Sequence, residues 1–359
     1  MIQVGSIKRI AVKIGSNLLA DSHALLDMKR MNELVRQVSE IKKCGIEVIL
    51  ISSGAVASGR GIFQPENKID TVRLRQLWSS LGQVRLIQSY SNLFEKYHLL
   101  CSQVLVTKED FRSRVHYLNM KNCFQVLLLN NIIPIVNEND VVAVTELMFT
   151  DNDELAGLVA TMLNVDCLYL LTTVDGILKN DFPTNRNLIE NINHGSKEYE
   201  KYVVAGESSF GKGGMLTKAH MAVKVAAAGI EVKIANGTRE NILIDLIENK
   251  APCTRFQPSS GKSSIKKWLS HAKGFEKGAV HINDGALQAL QSGKAVSLLP
   301  IGIMKVDGKF EKGDIITIYD EGKKQVGLGI AQYNDEQARN KLGKQKEKPL
   351  IHYDYLFLI

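Results

Sequence analysis

A dense group of acid and amide side chains marks the middle of the chain. Asn137-Glu138-Asn139-Asp140 is followed, after an alternating piece, by Asp151-Asn152-Asp153. The group comes straight after Ile132 to Val136, an apolar run of strand length. Carboxylates and amides packed this closely are poor core formers. At a strand's end and a helix's start they can grip a small polar molecule through its amine, its hydroxyls or a metal. An acidic hairpin loop with Asx turns and a helix N-cap is the competing reading.

Two further stretches bear on that choice. Lys13 lies inside the apolar run IAVKIG and is costly to bury without a partner anion. Alternation sets it on the face opposite Val12 and Ile14, where it either snorkels from an edge or meets a phosphate beside Gly15-Ser16. Ser208 to Lys218 reads SSFGKGGMLTK and opens into a helical stretch at 215–228. Glycines before a helix N-terminus let backbone N–H groups approach phosphate oxygens, and Lys212 and Lys218 add charge there. A surface loop rich in turn residues is the plainer alternative. Two familiar phosphate loops fail: Gly261-Lys262-Ser263 has Phe256 where a Walker A loop needs its first glycine, and no GxGxxG follows a strand.

The elements that must position these residues follow an α/β pattern. Strands are expected at 8–14, 46–51, 103–106, 132–136, 167–171 and 231–235. Helices are expected after Asp27 as N-cap with Gly45 closing the turn, and at 72–97, 114–130, 215–228 and 239–248. Strands alternating with helices, and strands apolar on both faces, predict a mainly parallel open sheet covered on both sides. Gly15-Ser16, Ser52-Ser53-Gly54, Asn137 to Asp140 and Thr172-Thr173 all fall just after strands, so four distant clusters converge on one rim. Beyond SSGKSS (259–264), of linker composition, the pattern turns to short strand-like pieces: AVHI, AVSLLP, DIITIY and QVGLGIAQY, with a helix at 284–291. This predicts a small β-rich module.

The totals bound the class. The chain has 359 residues, 45% hydrophobic and 23% charged, the balance of a folded globular protein with room for two domains. Charge and glycine lie within the first fifteen residues and apolar runs are strand-sized, so neither signal peptide nor membrane span is expected, and the cytoplasm is the expected compartment. Cys44, Cys101, Cys123, Cys167 and Cys253 are scattered without CxxC, which fits reduced thiols; no HExxH or Cys/His cluster suggests a metal hydrolase. From Ser259 onward 16 Lys+Arg stand against 11 Asp+Glu, a balance open to RNA or to plain solvation.

Taken in order, VKIGSN, ISSGAVASGR, LGQVRLIQ, PIVNENDVV, TDNDELAG and GKGGMLTKAHMA resemble the amino acid kinase family over about residues 8–258. The tail, with SLLPIGIMKVDGKFEKGDIITI and GLGIAQYN, is similar to the PUA domain. The resemblance implies a kinase domain at 1–258, a linker at 259–273 and a PUA-like β barrel at 274–359. It implies ATP with Mg²⁺, and phosphorylation of the side-chain carboxylate of L-glutamate in proline biosynthesis. Aspartate or an acylated glutamate is the alternative acceptor; an RNA-binding protein with a relic kinase domain is the alternative class.

By the same resemblance Lys13 and Lys218 contact the ATP phosphates and stabilise the transferring group, with Asp153 orienting both. Ser53, Asp140 and Asn152 match residues that hold the amino acid. Thr172, Thr173 and the run Lys212, Gly213, Gly214, Met215, Leu216, Thr217 and Lys218 match the nucleotide contacts. Thr172-Thr173 stands where relatives commonly have Thr-Asp, and Tyr353 where tails of this kind often have Arg. The resemblance also implies a homo-oligomer, dimer or tetramer, proline as a feedback inhibitor, and RNA as a partner of the tail.

Overall fold

Strands with no polar alternation are stable only where both faces are covered, and the central strands of this chain have that character. The computed structural model describes residues 6–19, 25–143, 152–182, 185–193, 196, 198–205, 214–259, 276–292 and 296–358. Two units are distinguished, Met1–Ser260 and Gly261–Ile359. The first runs β1 (Arg9–Ile14), α1 (Ser16–Leu19), α2 (Met28–Lys43), β2 (Glu47–Ser52), α3 (Ala55–Ile62), α4 (Thr71–Glu95), β3 (Cys101–Val106), α5 (Lys108–Arg112), α6 (Arg114–Leu129) and β4 (Ile133–Glu138). It continues with α7 (Asn152–Leu163), β5 (Cys167–Thr172), β6 (Leu178–Phe182), β7 (Asn185–Leu188), β8 (Asn191–Ile192), α8 (Glu198–Ala205), α9 (Gly214–Ala227), β9 (Glu231–Asn236), α10 (Ile242–Ile247) and β10 (Cys253–Phe256).

Among the described residues, eight strands form one sheet in the order β3-β4-β2-β1-β5-β9-β10-β8. Every pair is parallel except β9 with β10. Ile10, Val12 and Ile14 of β1 share a core with Met31, Leu34, Val35 and Val38 of α2 and with Leu243 and Leu246 of α10. Asp27 caps α2 by accepting from the Arg30 N–H, and Gly45 continues its end at φ 80°. The buried Gln37 ties α10 to α2, its side-chain oxygen accepting the Leu243 N–H at 2.7 Å. On the other face α7 packs against β1, and α7 lies close enough to α9 that a Cβ on Gly157 would meet Met221 Sδ at 2.2 Å.

The short helices α1, α3, α5 and α8 went unforeseen in the sequence, and α3 matters most for the site. AVASGRGI forms α3, entered through Gly54 at φ 104°, a conformation costly for residues with a Cβ. Its glycine matters for packing. A Cβ on Gly82 of α4 would stand 1.7 Å from the Ala55 carbonyl oxygen, so the backbones of α3 and α4 touch at their crossing. This contact sets α4 against the end of β2.

The second unit contains β11 (Gly278–Ile282), α11 (Asp284–Gln291), β12 (Ile303–Gly308), β13 (Ile315–Tyr319), β14 (Gln325–Ile330), α12 (Asp335–Lys341) and β15 (Leu356–Leu358). Its sheet has the order β12-β11-β13-β14-β15, around a core that includes Val280, Ile316, Ile318 and Leu328. AVSLLP is not a strand: Leu298 makes a single bridge to Ile351, and Pro300 then opens a 3-10 turn. The proline ring removes a ladder donor, which ends any strand there. The linker reading at 259–273 falls, apart from Ser259, outside the described residues.

Gly82→Ala is expected to lower the urea midpoint by an amount equivalent to about 1–3 kcal/mol, because the added methyl meets backbone that cannot swing aside. Gly214→Ala, whose Cβ would find nothing within 4 Å, serves as the control and should leave the midpoint unchanged.

Candidate active site

The parallel strands deliver their carboxyl ends to one rim, and there the polar residues gather. Lys13 leaves β1 near its end, with Ile51 of β2 and Leu170 of β5 as its flanking partners in register. Its Nζ lies 2.7 Å from Asp153 Oδ1 in the first turn of α7. The other oxygen, Asp153 Oδ2, accepts from Lys218 Nζ of α9 at 2.8 Å. Lys218 Nζ also donates to the Gly214 carbonyl at 3.3 Å. Asp153 is wholly buried, Lys13 nearly so at 5%, and the Lys218 side chain is 15% exposed. One carboxylate thus bridges two ammonium groups, leaving a net positive charge for an incoming anion.

A second cluster begins one residue earlier. Asn152 Nδ2 faces Ser53 Oγ at 2.8 Å, Asn137 Oδ1 at 3.2 Å and the Ser52 carbonyl at 3.4 Å. It ties the ends of β2 and β4 to the start of α7. Beneath it Ser52 Oγ shares a hydrogen bond of 3.0 Å with the Tyr90 hydroxyl of α4. Burial pushes the Tyr90 phenol up to about 12, so it stays protonated at neutral pH and serves as a fixed polar pin.

Asp140 is held from α4. Arg75 donates to Asp140 Oδ1 through Nε at 3.0 Å and Nη2 at 2.6 Å, and Ser79 Oγ donates to Oδ2 at 2.9 Å. Arg75 Nη2 also lies 3.3 Å from Glu138 Oε2. Both carboxylates are about 95% buried, with relative exposures of 4% for Glu138 and 6% for Asp140. Arg75 and Ser79 were not singled out in the sequence. A spacing of four on a helix was the signal that they share a face, but nothing in it named their partner.

Thr172 ends β5, where its carbonyl accepts the Gly237 N–H at 2.8 Å; Thr173 beyond it is exposed. Next to them Asp175 and Arg239 form a two-pronged pair at 2.7 Å, and the guanidinium holds the Asp175 carboxyl below its usual range. Gly214, Met215, Leu216 and Thr217 form the first turn of α9 ahead of Lys218, with Gly214 exposed. Lys212, Gly213 and Asp151 lie outside the described residues. Among the described residues no set of three His, Cys, Asp or Glu side chains is gathered as a metal cage, and both Asp153 oxygens are engaged by lysines.

One carboxylate thus holds two lysines beside the first turn of α9, and comparison with known proteins identifies the family. Residues 8–236 match the model of the amino acid kinase family, and residues 278–353 match the PUA domain. The chain belongs to the amino acid kinase family. Among its relatives, the glutamate 5-kinase of Bacteroides thetaiotaomicron is 52% identical over 355 residues, covering 98% of each chain. That of Chlorobaculum tepidum is 46% identical over 353 residues, again 98% of each. The fold is shared more widely: carbamate kinase from Giardia lamblia bound to AMP-PNP superposes with a TM-score of 0.51 at 19% identity, over 71% of this chain and 99% of that one.

For this member of the amino acid kinase family, Asp153→Ala removes a carboxylate that both lysines share and leaves Lys13 buried beside Lys218. Removing one partner of a buried pair costs about 3–5 kcal/mol, so the thermal midpoint should fall. Adding Lys13→Met to that variant should recover most of the loss, which differential scanning calorimetry would read.

Proposed function

We propose that the chain transfers the γ-phosphoryl group of ATP to the side-chain carboxylate of L-glutamate, giving ADP and L-glutamyl 5-phosphate, the first step of proline biosynthesis. The observation that carries this reading is Asp153 joined to Lys13 at 2.7 Å and to Lys218 at 2.8 Å. Full-length similarity to two glutamate 5-kinases supports the choice of acceptor.

In the proposed step a carboxylate oxygen of glutamate attacks the γ-phosphorus while the bond to the bridging oxygen of ADP breaks. The attacking carboxylate is already ionised at neutral pH, so no general base is needed. What opposes reaction is the approach of an anion to a polyanion and the charge spread over the phosphoryl oxygens. Lys13 and Lys218 offset that charge from fixed positions, and Asp153 fixes them without accepting a proton. The first turn of α9 with Lys212, Gly213, Thr172 and Thr173 is assigned to the nucleotide. Mg²⁺ enters on the ATP phosphates as part of the substrate complex.

Ser53, Asp140 and Asn152 are assigned to the amino acid, the Asp140 carboxylate facing its ammonium group. We assign the kinase domain to 1–258, a linker to 259–273 and a PUA-like domain to 274–359. Exposed apolar side chains at Leu100, Val115, Val126 and Leu129 support a homo-oligomer built through the kinase domain, which sedimentation velocity would measure.

Trapping the acyl phosphate with hydroxylamine tests the reaction directly. Hydroxamate should form with L-glutamate and far less with L-aspartate or N-acetyl-L-glutamate, and L-proline should suppress it at limiting glutamate. Lys218→Ala should lower turnover by about 10²–10³-fold, the range for losing one preorganised charge donor. A Lys218→Ala enzyme with near-normal rates would remove the assigned role.

A further inference from the structure

Helix α6 carries two apolar faces, and the fold of its own chain covers one of them. The helix packs on β4, and Tyr117, Phe124 and Leu128 are buried. Opposite them Val115, Leu118, Val126 and Leu129 are 65%, 41%, 58% and 82% exposed. At about 100° per residue these four fall within an arc of about 80°. Asn122, itself exposed, lies at the centre of that arc.

A helix ordinarily shows charge to solvent. On α2 the outer side is lined by Lys29, Glu33, Arg36, Glu40 and Lys43. On α6, by contrast, Lys121 is the one formal charge between Val115 and Asn131, and it is half-buried and off the stripe. Depletion of charge with apolar side chains left outside is the composition of an interface core. The uncovered surface continues past the helix. The Ile133 N–H donates to the Leu100 carbonyl at 2.9 Å, which sets Leu100, 70% exposed, beside the chain leaving α6. Leu100 leads into β3, an edge strand of the sheet among the described residues, with no charged residue to guard it.

We propose that a second copy of the chain covers this face, α6 packing antiparallel against the same helix of its partner about a two-fold axis at Asn122. This rests on the homo-oligomer reading and names the surface that forms it. The spacing of the stripe argues for this occupant. Leu118 and Val126 lie four positions before and after Asn122, and Val115 and Leu129 lie seven before and after. Antiparallel pairing therefore sets Leu118 against the partner's Val126 and Val115 against the partner's Leu129. A two-fold axis makes a surface face itself, so a stripe that reads the same in both directions complements its own copy. At the axis the two Asn122 amides meet, each able to donate to the other and accept from it. Sliding one helix by a turn would bury each amide against Leu118 or Val126 with no partner, so the polar residue fixes the register.

Sedimentation velocity on the full chain tests this with the wild type, Leu118→Glu, Val126→Lys and the double variant carrying both changes. The wild type should sediment as a dimer or a larger assembly of dimers. Each single variant sets a charge against an apolar side chain and should raise the dissociation constant about 100-fold or more. In the double variant each introduced carboxylate faces an introduced ammonium across the axis, and association should return toward the wild-type value. Within one chain the two positions stand about 12 Å apart along the helix, so the pair cannot close there. Both positions are exposed, so circular dichroism should show all variants folded, and the two single variants report independently of each other. Single variants that associate as tightly as the wild type would overturn the α6 surface. A double variant no better than the singles would overturn the antiparallel register. A wild type that stays monomeric at all concentrations would instead overturn the homo-oligomer reading beneath both.

Discussion

A carboxylate with no exposed surface, shared between two ammonium groups, is the constraint on which the kinase unit depends. Burial of Asp153 is offset by Lys13 and Lys218, which stand at 2.7 and 2.8 Å from its two oxygens. In turn each lysine is delivered by a different element, Lys13 by the central strand β1 and Lys218 by the first turns of α9. The three charges therefore report on the docking of β1, α7 and α9 together. A shift of any one would weaken these buried ion pairs, which ties the fold of the unit to the geometry of its rim.

The same rim separates two tasks. Asn152 and Asp153 are neighbours in the chain but face different partners: Asn152 meets Ser53 and Asn137, whereas Asp153 meets the lysines. The first turn of α7 thus joins the place assigned to the amino acid with the place assigned to the phosphates. On the far side the α3–α4 crossing sets the position of Arg75 and Ser79, and with them Asp140. In the proposed reaction, binding of the amino acid and stabilisation of the phosphoryl group fall on opposite flanks of one helix start.

Much of this was legible in the residues. Runs such as IEVILI and CLYLL announce strands covered on both faces, and the structure gives β2 and β5 there, in a mainly parallel sheet. Lys13 stood out because an amine inside IAVKIG needs an anion. Other features left little trace. AVASGRGI has the composition of a loop, and its small residues make sense only once α4 is seen lying against it. Arg75 and Asp140 are 65 positions apart, and no local pattern links them. The short polar strands LKNDF and NRNL lack alternation, so β6 and β7 were not foreseen. AVSLLP misled in the other direction, as an apolar run whose proline halts the ladder after a single bridge.

The central claim is that Asp153 acts on the reaction only by aiming Lys13 and Lys218. A double-mutant cycle on turnover, with Asp153→Asn, Lys218→Met and both together, tests it most directly. If Asp153 works through the lysines, the double variant should be no slower than about the slower single variant, since the aim of a missing lysine is immaterial. Fully multiplicative losses would show that Asp153 contributes on its own, and the account of the bridge as an organiser would be wrong.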